Sequence, residues 1–265
     1  MTEPTTNPGL QRRLNFNALK HHVLSNRVDC VLWLTRVFAI LFSLFYLIPI
    51  FGNSYNYYYK VLIANAAISA LRLHQRLGTV QLNREFFMRL LTEDSCHYLF
   101  YSLIFLYVAP ATVVLIPIFL FSVLHAASYS LTLLDTLGQN SLWGARLGIS
   151  VVEFQSLYIL KSAAFVEIFL MPYTVILVMM GKASLLTPFI YYQFLFQRYT
   201  SRRNPYSRLM FRELRVVFEN TANKANMPGI VSKLLLFVVN FTLKLAPQPY
   251  QMPYGQQQQQ DQPPQ

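Results

Sequence analysis

Few residues in this chain are spaced for covalent chemistry. The densest group of ligand-type side chains is "EDSCHY", which places Glu93, Asp94 and His97 within one helical turn. Glu93 and His97, at i and i+4, could ligate one ion together. A metal centre needs a second such cluster, and His21, His22, His74 and His125 do not supply one. The motif therefore reads as a capped helix start at an interface, with Asp94 set against the positive end of the helix dipole. Five histidines are also too few for the clustered boxes of integral-membrane di-iron oxidases. No Walker loop, GxSxG elbow or HExxH occurs. Cys30 and Cys96 lack metal or redox spacing and read as reduced buried thiols. Glu167, inside an apolar run, is either a proton or ion site or the partner of a nearby cation, with Lys161 the nearest in sequence. No catalytic residue, cofactor or metal is assigned, and the chain reads as a non-enzyme.

The residues with the clearest physical task are basic. "RYTSRRNPYSR", residues 198–208, brings Arg198, Arg202, Arg203 and Arg208 directly after Ala183–Gln197, which carries no charge. Cations that abut a membrane helix sit within a Debye length, about 10 Å, of the headgroups. Lipid phosphate is then their nearest anion, and nucleic acid is not a partner. After Pro205 the periodicity predicts a helix: Met210, Leu214, Val217, Phe218 and Thr221 share one face, and Arg208, Arg212, Arg215 and Glu219 the opposite one. A basic face opposite an apolar face marks a helix lying flat on an anionic bilayer. Ten residues, Arg198, Arg202, Arg203, Arg208, Arg212, Arg215, Met210, Leu214, Val217 and Phe218, form the expected lipid-surface site. A second helix, within 227–247, carries Lys233, Phe237, Asn240 and Lys244 on one stripe and is expected to embed in one leaflet.

These residues need elements to hold them at a membrane. The chain is 54% hydrophobic and only 12% charged, half the density, roughly 25%, of soluble domains. That density cannot clothe a globule of this size, so the expected class is an all-α polytopic integral membrane protein. Residues 31–51 are apolar except for Arg36, which lies near the start and can snorkel to the interface. Residues 55–71 form a small-residue-rich return arm. From Tyr98 to Leu134 no Asp, Glu, Lys or Arg occurs, and one straight helix of that length would greatly exceed a bilayer. Pro110 and Pro117 are expected to bend it into two arms near 110–117. Residues 162–181, with Pro172 as a kink, and 183–197 make the third pair.

Six membrane helices in three hairpins are expected; four spans, with 55–71 and 183–197 interfacial, is the rival count. The polar stretches then share one side, and they hold most of the Lys and Arg behind the net charge of +11. The positive-inside rule places them, and both termini, in the cytosol. No cleavable signal is read, because residues 1–30 are polar and basic. The expected organisation is a basic N-terminal segment at 1–30 and a membrane domain of helical hairpins at 31–197. Interfacial amphipathic helices follow at 198–247, then a disordered Pro/Gln-rich tail at 248–265. A carrier or channel lined by Arg36, Lys60 and Glu167 is the alternative; its mark would be one polar cavity shared by all three.

Six blocks, "ANAAISALRLHQRL", "LTEDSCHYLFYSLIFL", "LFSVLHAASY", "VEIFLMP", "PFIYYQFL" and "RYTSRRNPY", resemble the transmembrane protein 33 family, in the same order, over about residues 27–247. Its insect member is called Krüppel homolog 2, and its fungal relatives are pore-associated membrane proteins. The resemblance implies an endoplasmic reticulum and nuclear envelope protein without enzymatic activity. It further implies roles in membrane curvature, tubule shaping with reticulons, nuclear pore distribution and the unfolded protein response. Expected partners are the anionic bilayer and membrane-shaping, nuclear pore or ER stress proteins. No zinc-finger spacing accompanies the Krüppel name.

Overall fold

The computed structural model of the chain describes residues 15–48, 52–78, 83–138, 143–201, 203–224 and 227–245. Arg202, residues 1–14 of the N-terminal segment and the Gln-rich tail lie outside the described residues. Those described are mostly helical, with no strand among them. The protein is an all-α polytopic membrane protein. Its chain divides into two compact units, Met1–Phe211 and Arg212–Gln265.

Asparagine side chains cap three helices of the first unit. α1 (Phe16–Ser25) is capped by Asn15, whose side chain accepts the amide of Ala18. α2 (Arg27–Leu47) follows almost at once. α3 (Ser54–Leu77) is capped by Asn53 and α4 (Arg84–Thr92) by Asn83, each side chain accepting one of the first free amides. Gly78 ends α3 at φ +64, in the left-handed region that an L side chain rarely adopts. α5 (Asp94–Leu106) and α6 (Thr112–Thr136) are separated by residues 107–111, which include Pro110, so the uncharged stretch divides there as expected. Pro117 behaves otherwise: it lies inside α6, in the second turn, where the helix absorbs one missing amide bond. α7 (Trp143–Ile149) leads through a π-helical segment, Ser150–Phe154, into α8 (Ser156–Met179), which contains Pro172. α9 (Leu186–Thr200) ends at the basic run, and α10 (Tyr206–Ala222) follows it. α11 (Gly229–Leu245) belongs wholly to the second unit.

Among the described residues, α2, α6 and α8 are long and apolar enough to cross a bilayer. The other three arms differ from them. α3 has 24 residues but carries Lys60, Arg72 and Arg76. α5 has 13 and α9 has 15 residues, so at about 1.5 Å per residue they reach about 20 and 22 Å, short of a hydrocarbon core of about 30 Å. A helix occupies each of the six expected arms, three of them long and apolar enough to span, and each of three chain-adjacent pairs joins one long apolar helix to a shorter or more polar one.

In the first unit α2 packs on α3, α3 on α5, α5 on α9, α9 on α8, α8 on α6, and α6 back on α2. Aromatic rings fill the centre: Tyr58, Tyr101, Phe105, Tyr191 and Phe194 are buried with Val114, Ile118 and Leu170. α5 and α6 are thus sequence neighbours that meet through side chains, with Tyr101 donating its hydroxyl to the carbonyl of Val114 at 2.7 Å. The backbone amide of Ala109 donates to the carbonyl of Lys182 at 3.2 Å, so the α5–α6 and α8–α9 turns lie at the same end. Single cysteines at positions 109 and 182, in a Cys30→Ser/Cys96→Ser background, should react with an impermeant maleimide from one side of sealed vesicles, and cysteines at 89 and 203 only from the other. Labelling of 109 and 182 from opposite sides would contradict this packing.

Candidate functional site

α9 buries one stripe: Tyr191, Phe194, Leu195 and Arg198, at the helical spacing i, i+3, i+4, i+7. α8 buries another, running Ala163, Ala164, Glu167, Leu170, Thr174 and Leu177. Each stripe contains one charged residue, and the two meet. Arg198 Nε donates to Glu167 Oε2 at 3.1 Å, with the side chains 1% and 0% exposed. Tyr98, on α5, donates its hydroxyl to Glu167 Oε1, and its ring lies 5.1 Å from the guanidinium carbon of Arg198. Tyr191 donates to the backbone carbonyl of Glu167 at 2.7 Å. Burying two ions costs several kcal/mol each, and only good geometry with further hydrogen bonds offsets that cost. Here both carboxylate oxygens are engaged, and the cation lies over a ring face.

Outward from this pair the network becomes wetter. Arg198 Nη1 also donates to Asp94 Oδ1 at 3.3 Å, and Ser201 donates to the same oxygen at 2.8 Å. Ser201 Oγ in turn accepts the amide of Asn204 at 3.3 Å, and its carbonyl accepts Arg208 Nη2 at 3.4 Å. Glu93 Oε2 accepts both Arg76 Nη1, at 2.8 Å, and Arg203 Nη1, at 2.6 Å. His97 donates from Nε2 to the carbonyl of Leu91 at 2.7 Å, leaving Nδ1 buried without a hydrogen-bond partner, 3.7 Å from Asp94. Among the described residues no group of three His, Cys, Asp or Glu side chains is placed to hold a metal ion. The arrangement ties α3, α5, α8 and α9 and the following basic segment together at one end. It is an electrostatic anchor.

Arg198 is therefore corrected from the expected lipid-surface set: it is sealed inside the protein, because the phase of α9 points it at Glu167. Arg202 lies outside the described residues. Arg203, Arg208, Arg212 and Arg215 are exposed, and Arg215 Nε bonds Glu219 at 2.7 Å along α10. On the apolar face Met210, Leu214 and Phe218 are half-buried and Val217 is exposed. Glu167 pairs with Arg198 and not with Lys161, which lies six residues earlier, about 240° around the helix. Asp94 opens α5 as expected, and it also receives Arg198 and Ser201. The three residues of the carrier reading have separate surroundings: Lys60 is exposed above the rings of Phe42 and Tyr57, Arg36 is buried on α2, and Glu167 is bound within the anchor. Sequence reasoning missed Tyr98, Tyr191 and Ser201. The usable signal was phase, since Arg198 and Glu167 each continue a buried stripe.

A profile of the Transmembrane protein 33/Nucleoporin POM33 family matches residues 11–248. Krueppel homolog 2 of Drosophila melanogaster is 54% identical over 230 residues, covering 87% of this chain and 83% of the fly protein. Transmembrane protein 33 of Homo sapiens is 46% identical over 227 residues, covering 85% of this chain and 92% of the human protein. The Caenorhabditis elegans Transmembrane protein 33 homolog is 38% identical over 235 residues, covering 88% and 86%. No solved structure matches the chain.

Removing one member of a buried pair strands the other. Glu167→Leu should destabilise the protein by about 3–5 kcal/mol, and Glu167→Leu/Arg198→Met should regain most of that loss. Arg203→Met, at a half-exposed pair, should cost less than about 1 kcal/mol. Thermal unfolding in detergent micelles ranks the variants, and a double variant no better than Glu167→Leu would refute the anchor.

Proposed function

This chain belongs to the Transmembrane protein 33/Nucleoporin POM33 family, and we propose that it is a non-enzymatic multi-pass protein of the endoplasmic reticulum membrane and nuclear envelope. In this reading it shapes or senses membrane curvature and scaffolds membrane organisation, in the tubular network and around nuclear pores, with its termini in the cytosol. It thereby also modulates the unfolded protein response.

The observation that supports this most directly is the uneven length of the hairpin arms. α5 and α9 are too short to cross a bilayer, and both have their charged ends in the anchor network. A hairpin with one short arm fills one leaflet more than the other. Amphipathic helices add to the same leaflet. In α4, Phe87, Met88 and Leu91 are exposed beside Arg84 and Arg89, and α10 sets Arg208, Arg212 and Arg215 against Leu214, Val217 and Phe218. Expanding the headgroup region of the cytosolic leaflet favours positive curvature, and each cation near anionic lipid contributes about 1 kcal/mol. The family's description, which includes a nucleoporin, agrees with a place at the nuclear envelope.

The full chain should be reconstituted in anionic vesicles, with a polarity-sensitive dye on Val217→Cys. Charge reversal at Arg208, Arg212 and Arg215 should weaken tail association with the bilayer by about two orders of magnitude or more. The unaltered protein should concentrate on drawn membrane tubes relative to flat bilayer, and equal density on both would sink the reading. Asn240 of the "NFT" sequon should carry no sugar in cells, as judged by unchanged mobility after glycosidase treatment; a glycan there would place the second unit in the lumen.

A further inference from the structure

One feature of the first unit lies at the outer edge of the anchor. Between the end of α3, the start of α5 and the basic segment, an open cavity of about 460 Å³ is lined by Arg76, Arg89 and Arg203, with Asn83, Glu85 and Glu93. That volume falls within the range of roughly 300–1,000 Å³ of small-molecule sites. Three guanidinium groups converge from three separate parts of the chain, and like charges assemble only when something holds them. Glu93 does this: one of its oxygens accepts both Arg76, at 2.8 Å, and Arg203, at 2.6 Å. Glu93 is buried, whereas the side chains of Arg76 and Arg203 are 43% and 56% exposed. Each bond uses one of five N–H donors, so most of each planar fork stays available. Arg89 is exposed and belongs to no ion pair among the described residues. Against two carboxylates the cavity keeps a net positive charge.

We propose that this cavity binds a phosphate monoester carried on a membrane lipid, of the phosphoinositide class. Arginine forks match phosphate oxygens in paired hydrogen bonds, and three such forks select a doubly charged monoester over the singly charged diester present in every phospholipid. The position of α4 gives the source. One face of this helix, with Glu85 and Arg89, lines the cavity, while Phe87, Met88 and Leu91 on the other are exposed. An apolar face of that kind seats α4 at the bilayer interface, which sets the cavity at headgroup depth. Glu93 is the positioning residue that fixes the arginines. Glu85 opposes the ligand and sharpens the requirement for high anionic charge.

This inference deepens the lipid-surface reading and rests on it only for which leaflet supplies the lipid. The test therefore uses the full-length protein in neutral detergent micelles, where neither leaflet nor curvature exists. Binding of dioctanoyl phosphatidylinositol monophosphate, dioctanoyl phosphatidylserine and soluble inositol bisphosphate is followed by native mass spectrometry. The monophosphate lipid should bind at least about tenfold tighter than phosphatidylserine, and Arg89→Gln should abolish that preference. Arg89 is exposed, so this variant should elute and melt as the parent protein does. Arg203→Gln should weaken the monophosphate lipid similarly. Soluble inositol bisphosphate binding as tightly as the lipid upholds the phosphate site and assigns it to a free ligand. Equal affinity for phosphatidylserine, or an Arg89→Gln protein with unchanged selectivity, overturns the proposal.

Discussion

The ion pair between Arg198 and Glu167 is the constraint around which the rest of the first unit is arranged. Neither group touches water, and in so apolar a chain neither could remain charged alone. With either ion in this interior, the other has to be present for α9 to lie against α8. Its supports come from elsewhere in the chain: Tyr98 from α5 on the carboxylate, Tyr191 from α9 on the carbonyl of Glu167, and Asp94 as a second anion for the guanidinium. Helices inside a bilayer gain little from hydrophobic burial, since lipid tails are as apolar as leucine. Polar contacts of this kind, directional and intolerant of slippage, therefore carry much of the specificity that a soluble core takes from exclusion of water.

The tyrosines extend the same logic toward the other end. Tyr101 and Tyr191 are fully buried, and each hydroxyl donates to a helix carbonyl, of Val114 and Glu167 respectively. A phenol gives one strong donor on a rigid, largely apolar body, so it fills the centre of the unit and also locks register between neighbouring arms. Asn65 does the same on a smaller scale, donating to Ser102 at 2.7 Å and joining α3 to α5. Aromatic side chains are thus a main material of the unit's interior.

How much of this could be read from sequence follows from the range of each interaction. The long arms α2, α6 and α8 and the break before α6 were legible, because apolar runs and prolines act locally. The helix after Pro205, α10, was legible for the same reason. The role of Arg198 was not. Grouped by proximity with Arg202, Arg203 and Arg208, it read as one more surface cation; the phase of Tyr191, Phe194 and Leu195 assigns it to the interior. Glu167 was recognised as needing a partner, but a partner 31 positions away is set by tertiary packing. Lys161 was simply the nearest cation along the chain. The cavity beside α4 was equally hidden, since its three arginines come from residues 76, 89 and 203 and appear in sequence only as a mixed-charge stretch and a distant basic run.

The anchor also fixes how deep the short arms lie. A helix of about 22 Å has no unique depth in a core of about 30 Å, and apolar matching alone would let α9 slide along the bilayer normal. Pinning Arg198, five residues past the midpoint of α9, to Glu167 removes that freedom relative to α8. Asp94 and Ser201 then hold the start of α5 at the same level, so both short arms begin or end at the charged side and stop short toward the turns at 107–111 and 180–184. The shortfall of both arms consequently falls at one end, where Ala109 meets Lys182, and the charged groups gather at the other. A single buried ion pair is thus enough to set the direction in which both short helices fall short.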